Sequence, residues 1–532
     1  MKLNRKVIVV LIAVFLLSLG NSSTVMAAKT PTVAETMTLA VGQTKKIKVE
    51  SENISIMSKT YKSTNTKIAS VTKKGKVTAK KAGSCKVKVT VKYTRNNKVL
   101  TKVLTTKITS VIPSSDDMAA LKKIIKEQKA LGAKISGVNS GNYTWSNEGR
   151  LEFINWECCE LKGEISFNAF TQLEKLYCFG SNLKEIDISG CKALKYLDCD
   201  GTKLTEIDAS GCGALIELVC ERNRLTEIDV SSCSNLEYLF CRENQLTELD
   251  VSNCKSLTAL CCSQNKLIEL DVSNCKDLDL LDCSYNPLME LDVSNCNKLE
   301  DLECKGSGLS QLDVSVCNRL ELLECSENQL EELDVSNCEK LEGLSCWDNK
   351  LTELDVSKCK LLGQLWCSDN GLTKLNVNSN KKLWDLSCSF NELTKLDVRS
   401  NTLLQQLYCE GNGLTKLDIG NNKSLQKLNC SDNELTRLDV SGCKKLEDLN
   451  CAKNELSKLY VSGNKKLLFL ACEENQLTKL NVSSCKDLID LYCEGNKLKK
   501  LDLRSNEGLW ELSCDKKVKL VGVPKSCAIT KK

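Results

Sequence analysis

The chain has 532 residues, 33 cysteines, no histidine, and 74 Lys and Arg against 69 Asp and Glu, for a net charge of +5. That length exceeds what one ordinary hydrophobic core serves, so several domains or a repeat array are expected. The absence of histidine removes His-ligated metal sites and every nucleophile system built on an imidazole base, which leaves an enzyme only carboxylate or lysine chemistry.

The first 28 residues read as a secretory signal: Lys2, Arg5 and Lys6 precede an apolar run from Val7 to Leu17, and Val25-Met26-Ala27-Ala28 supplies small residues for cleavage. The run is too short for a stable span and no second one follows, so no transmembrane insertion is expected. The charge is segregated. Lys29 to Val111 holds nineteen Lys or Arg against Glu35, Glu50 and Glu52, and Ile112 onward carries a net −14. A basic front module joined to an acidic array points to two separate tasks, the basic part being suited to an anionic cell-wall polymer.

Residues 31–112 alternate apolar and polar in short runs, as in Cys85-Lys86-Val87-Lys88-Val89-Thr90-Val91, with turn signals such as Lys74-Gly75-Lys76 between them. This predicts a small all-β sandwich. Leu39-Ala40-Val41-Gly42-Gln43-Thr44, Ile68-Ala69-Ser70-Val71-Thr72, Gly75-Lys76-Val77-Thr78-Ala79 and Ala82-Gly83 resemble the bacterial group 2 immunoglobulin-like domains. That resemblance implies a spacer or adhesion module of a bacterial surface protein. Residues 113–172 read as a linker and the N-terminal cap of a solenoid that begins at 173. Asp116 and Asp117 open a helix with Leu121, Ile124, Ile125 and Leu131 at helical spacing, and Gly132 stops it. Short strands are expected at Tyr143-Thr144-Trp145 and around Leu151, Ile154 and Trp156.

From 173 to 515 the sequence repeats. Seventeen cysteines stand 21 residues apart without interruption, from Cys178 to Cys514. Counted from each cysteine, leucine stands five and two before it in all seventeen copies; asparagine stands three after it in thirteen, and Leu, Ile or Val recur five, eight and ten after it. The unit LxxLxCxxNxLxxLDVSxCxx is a leucine-rich repeat with cysteine in place of a strand leucine. Leu-x-Cys puts two side chains on the inner face of a short strand, and successive strands pair in parallel, so each coil is buried by its neighbours. The link to the next Leu is too short for a multi-turn helix, which predicts an extended or 3₁₀ convex side. At strand spacing of roughly 4.8 Å the seventeen coils make a curved rod about 80 Å long. The fold class is therefore a leucine-rich repeat solenoid of the α/β horseshoe class behind an immunoglobulin-like sandwich, with 516–532 as a C-terminal cap and basic tail. The repeats are similar to those of the bacterial internalins whose 21-residue coils carry a cysteine column. Here the immunoglobulin-like module precedes the repeats and no wall-sorting tail is seen, so covalent wall attachment is not expected.

A second cysteine column lies thirteen residues after the first, and Asn380, Asn401, Asn422, Asn464 and Asn506 replace it in five coils that keep their ladder cysteine. Disulfide pairing between the columns would orphan those partners. In-register side chains one strand apart are also too far apart for a disulfide, which needs Cβ atoms at roughly 3.8 Å. Buried free thiols acting as small apolar groups fit both facts, ahead of metal ligation. The Asp column nine after the ladder (Asp229, Asp250, Asp271, Asp292) reads as turn capping by Asp-Val-Ser ahead of calcium binding. No cofactor and no metal are expected.

A ligand is expected on the concave sheet, at the positions three and one before and one after each ladder cysteine. These 51 positions hold sixteen acids, including Asp282, Asp301, Glu303 and Glu324, against four cations. Phosphate would be repelled, which disfavours nucleic acid. Aromatic candidates are Tyr177, Phe179, Tyr196, Tyr238 and Phe240 towards the N-terminal end, and Trp347, Trp366, Phe390 and Tyr408 on four consecutive coils. Outward aromatics on a sheet either anchor a partner or simply cover the surface. An enzyme using Asp301 and Glu303 as paired carboxylates is disfavoured, because alternation along the strand puts both on one open surface. The expected function is a secreted, non-catalytic bacterial recognition or adhesion protein holding a protein ligand, basic where it complements this face, with carbohydrate or cell-wall binding as the alternative.

Overall fold

The computed structural model describes residues 29–52, 54–95 and 98–532; the segment expected to be a signal sequence lies outside them. Two compact units are present, one running to residue 122 together with 136–152, the other formed by 123–135 and 153–532. The stretch 113–172 contributes to both.

In the first unit, nine strands run in chain order: β1 (Lys29–Thr32), β2 (Thr36–Ala40), β3 (Thr44–Lys46), β4 (Glu50–Glu52), β5 (Ser55–Ser63), β6 (Ala69–Val71), β7 (Lys76–Ala79), β8 (Gly83–Arg95) and β9 (Lys98–Val111). They form a four-stranded sheet β2-β9-β8-β5, a three-stranded sheet β3-β7-β6, and a β1-β4 pair. The alternation read from the sequence sets the core: Val87, Val89, Val91 and Ile108 are wholly buried with Leu39, Ala69 and Val77, while the intervening lysines of β8 are exposed. Gln43, from the Gly-Gln-Thr motif, is also fully buried. Its Oε1 accepts from the Ala40 N–H at 2.9 Å, and its amide donates to the carbonyls of Ser140 (2.8 Å) and Tyr143 (2.7 Å), so no polar atom is left unmatched at the strand end.

Helix α1 (Ser115–Ala130) carries Asp116 and Asp117 in its first turn and ends before Gly132, which has φ +90°. The Asp117 carboxylate accepts two bonds from the Arg150 guanidinium, at 3.0 Å each, and one from the Leu151 N–H at 2.8 Å. In the second unit, Gln128 exchanges a pair of bonds with the backbone of Lys162, at 2.8 and 2.9 Å.

The repeats form one parallel sheet. Each coil contributes a strand of about three residues that pairs in register with the next, as Leu239 with Leu260 and Leu281 with Leu302. The leucines five and two before each ladder cysteine are buried, and so is the ladder itself. On the return side the extended alternative is the one adopted, with short parallel pairs such as Glu206–Asp208 with Glu227–Asp229 and Lys500–Asp502 with Lys519–Val521.

Two residues make the turn after each strand. The residue two after the ladder cysteine takes positive φ along the array, as glycine at Gly180, Gly201, Gly306, Gly411 and Gly495, and elsewhere as residues such as Arg222 (51°), Glu327 (54°) and Phe390 (51°). A side chain there costs roughly 1–2 kcal/mol. The asparagine that follows offsets it. The Asn328 amide donates to the carbonyls of Cys304 (2.9 Å), Cys325 (3.0 Å) and Ser326 (3.1 Å), and its Oδ1 accepts from Leu309 N–H (3.0 Å). The Asp column caps the next turn: Asp250 Oδ1 accepts from Ser252 N–H at 2.9 Å.

All 33 cysteines are free thiols, and all but Cys158 and Cys527 are buried. In the second column the sulfurs approach two carbonyls, as Cys275 does those of Val251 and Cys254, both at 3.9 Å. The replacing asparagines donate to the same pair at shorter range, Asn380 to Val356 (2.9 Å) and Cys359 (2.8 Å). Burial pushes the second-column thiols up, Cys254 and Cys275 to about 12, and raises the ladder thiols as well, Cys346 and Cys388 to about 12 and Cys325 further. Thiolate, the reactive form, is therefore scarce at neutral pH. A thiol reagent should modify Cys158 and Cys527 in the native protein and the remainder only in denaturant; a native count well above two would contradict this arrangement. Cys275→Asn should change stability by less than about 1 kcal/mol, whereas Cys325→Asn, which buries an amide with no such carbonyl pair, should cost about 2–3 kcal/mol in denaturant titrations.

Candidate functional site

The open face of the long sheet is built by the strand positions on either side of each inward leucine. In the strands Leu280–Asp282, Asp301–Glu303 and Leu322–Glu324, the central leucine is buried and the flanking residues lie on the face. Register places Asp282 beside Glu303 and Glu303 beside Glu324, one strand apart, while Asp301 stands between Leu280 and Leu322.

These neighbours account for the electrostatics. Asp301 is packed between two leucines, and burial, with repulsion from Asp282, Asp279 and Glu321, pushes its carboxyl up to about 7. Its Oδ1 is buried and has no hydrogen-bond partner. Burial also pushes Glu303 up, with Asp282, Asp301 and Glu324 adding to it. Asp282 departs from the surface role expected of it: it is 3% exposed, and its carboxylate accepts from Ser263 Oγ (2.6 Å) and Ser284 N–H (3.2 Å), with Arg242 at 3.8 Å. It acts on the face through its charge, whereas Glu303 and Glu324 are partly exposed. Asp301 and Glu303 share one surface side by side.

The aromatic candidates divide by what holds them. Tyr177 packs edge-on to Phe153 at 5.4 Å, Tyr196 lies under the Lys175 ammonium at 4.3 Å, and Tyr238 stacks with Phe240 at 6.4 Å; Phe179 is half-buried just after the first ladder cysteine. Trp347 has Lys305 over its ring at 4.6 Å, and that lysine is tied to Glu327 at 3.1 Å. Trp366 donates its indole N–H to Asp385, and Tyr408 donates its hydroxyl to Gln406 at 3.0 Å. Among the described residues no lysine or arginine covers either ring. They lie two strands apart in one column, with Ser387 between them.

Phe390 does not belong with these residues. It occupies the positive-φ turn position, two after Cys388, is 48% exposed, and lies against Gly411, where a Cβ would come within 2.5 Å of its ring. Tyr285 sits in the same way against Gly306. The sequence distance alone separates this column from the strand columns. Two sheet-face aromatics absent from the sequence-based candidates, Phe469 and Tyr492, pack at 5.7 Å near the C-terminal end. Burial and a bond to Glu511 push the Tyr492 hydroxyl up to about 12. Both stand in columns that the repeat defines, at three and one before their ladder cysteines, so their positions were the available signal.

The functional domain of InlJ from Listeria monocytogenes, described as including a cysteine ladder, matches 66% of this chain and 70% of its own, at 32% identity and a TM-score of 0.52. The chain belongs to the cysteine-ladder leucine-rich repeat family of InlJ. Residues 27–102 match the bacterial Ig-like domain (group 2) family, which identifies the sandwich. YopM from Yersinia enterocolitica WA-314 is similar in fold, with a TM-score of 0.60 and 24% identity over 79% of this chain and 96% of that one. The comparison with curated proteins gives no match. In this chain the ladder is part of the repeat core, and the face beside it is where the chain's own chemistry lies. Among the described residues no group of His, Cys, Asp and Glu is arranged to hold a metal, and no helix is long and apolar enough to cross a membrane.

Asp301 and Glu303 keep protons in the folded state at pH values where the unfolded chain has lost them. Stability contributed by these groups is therefore fully present below about pH 4, where the unfolded carboxyls are also protonated, and is lost progressively as pH rises to about 7. Asp301→Asn should match the parent's thermal midpoint at about pH 3.5 and exceed it by about 2 °C at pH 8. An equal gap at both pH values would show that Asp301 is not held protonated.

Proposed function

We propose that this is a secreted, non-catalytic recognition protein whose repeat face holds a basic protein ligand. The observation that carries the reading is that Trp366 and Tyr408 lie uncovered in the same sheet column as the Glu324 carboxylate. Two aromatic rings are held by their own hydrogen bonds and left uncovered, on the same sheet as an acid run with few cations to neutralise it. Rigid aromatics give contact area at low entropic cost, and an anionic face steers a cationic partner and selects against an acidic one. Trp347 and Tyr196, each already under a lysine, are secondary candidates, as are Tyr177, Phe179, Tyr238 and Phe240. The signal-like N-terminus, the internalin-like repeats and the group 2 immunoglobulin-like module support placement outside the cell. In this reading 31–112 is a separate module that spaces the repeats or contacts wall polymer, 173–515 is the recognition array, and 516–532 closes its end.

Capture of extracellular proteins on the full chain should recover a partner of net positive charge. Trp366→Ala with Tyr408→Ala should weaken that partner about 30-fold or more, the loss expected of anchor residues at about 2 kcal/mol. Glu324→Gln should slow association and flatten its salt dependence. Glycan binding that needs Trp366, with no protein captured, would replace this reading with carbohydrate recognition.

A further inference from the structure

We propose that the outer face of the four-stranded sheet in the front module binds a linear phosphate polymer. Strand alternation sends Val87, Val89 and Val91 of β8 into the core and Lys86, Lys88 and Lys92 out to solvent. Lys62 of β5 and Lys107 of β9 are exposed on the neighbouring strands, and register sets Lys62 opposite Lys88 and Lys86 opposite Lys107. Four ammonium groups therefore occupy one patch, with neighbours about 5 Å apart across strands and about 7 Å along them at the level of Cβ.

Like charges placed directly opposite one another destabilise a sheet. This sheet carries two such pairs side by side, and the positions around them are uncharged: Thr60, Thr90 and Thr105. Among the described residues none of these lysine ammoniums has a carboxylate within ion-pairing distance; Glu35 adjoins the edge of the patch, its carbonyl accepting the Lys107 N–H at 2.7 Å, and Glu50 and Glu52 lie on β4. The opposed lysines lower stability and form no ion pair within the module, which leaves them free to take an external anion. Eighteen of the nineteen cations from Lys29 to Val111 are lysines, Arg95 being the exception. Lysine binds phosphate as a point charge, without the planar fork that arginine offers a carboxylate. A flat lattice of point charges suits a repetitive phosphate chain, which releases counterions from every unit it lays down. The reading of the chain as extracellular bears only on where such a polymer is met; this face and the repeat face are separate surfaces.

The full chain is titrated with long-chain inorganic polyphosphate and, in a second arm, with poly(glycerol phosphate), at several NaCl concentrations. Four to five lysine contacts predict a slope of log K against log salt of about −3 to −4.5. Lys86→Thr with Lys88→Thr should weaken binding at least tenfold, reduce the slope by about 1.5, and raise the thermal midpoint by removing both opposed pairs. Lys73→Thr with Lys74→Thr removes the same charge from a turn off this face and should leave binding within about twofold of the parent. The two arms distinguish a bare polyphosphate from a polyol phosphate. Equal losses from the two double variants, no binding to either polymer at low salt, or tighter binding to single-stranded DNA than to both would overturn the proposal. Glu324→Gln should leave polymer binding intact, so failure of the protein-ligand reading is seen separately.

Discussion

In thirteen of the seventeen coils the array turns on one side chain, the asparagine three residues after the ladder cysteine. A coil only 21 residues long must leave its strand at once, and the turn that does so puts backbone groups between neighbouring coils where water does not reach. In Asn328 one amide serves three carbonyls from two coils, and one oxygen takes an N–H from the preceding coil. Unpaired, each of those groups would cost about 1–3 kcal/mol. With the turn satisfied, arginine, glutamate or phenylalanine can occupy a left-handed position that glycine fills in other coils. The same bonds hold the strands in register, and register decides which side chains share the open face.

The cysteines follow from this geometry. Leucine fills the inner positions five and two before the ladder; the ladder position lies next to the turn, where a small polarisable group packs best. The second column sits against two carbonyls. A thiol approaches them loosely and an asparagine bonds them well, which explains why the two residues exchange there and nowhere else. The asparagine solution has its own cost: Oδ1 of Asn380, Asn401, Asn422, Asn464 and Asn506 is buried without a partner. Neither solution is free of penalty, and both persist.

On the open face, repetition sets the columns and the residues that break repetition set the chemistry. Both Asp301 and Glu303 are raised chiefly by burial, Asp301 between leucines and Glu303 with the acids of its own column adding to the shift. Trp366 and Trp347 look alike in the sequence, both next to a ladder cysteine. One bonds Asp385 and the other is covered by Lys305, which stands two coils earlier. Spacing says which side of the sheet a residue occupies; whether its ring is already in use depends on the length and charge of side chains from other coils.

The sequence by itself determined the architecture: a 21-residue interval admits one stacked coil, Leu-x-Cys admits one inner face, and alternation in β8 admits one sandwich core. It also determined the two opposite charges of front module and repeats. Only the tertiary structure decided that Asp282 is buried under Arg242 and satisfied by serines, that Phe390 lies in the turn and off the sheet, and that Lys62, Lys86, Lys88 and Lys107 meet in one patch. The physical reason is the same in each case. Periodicity orders neighbours along the chain, whereas burial, partner and charge environment are set by residues about 20 or more positions away that strand pairing brings side by side.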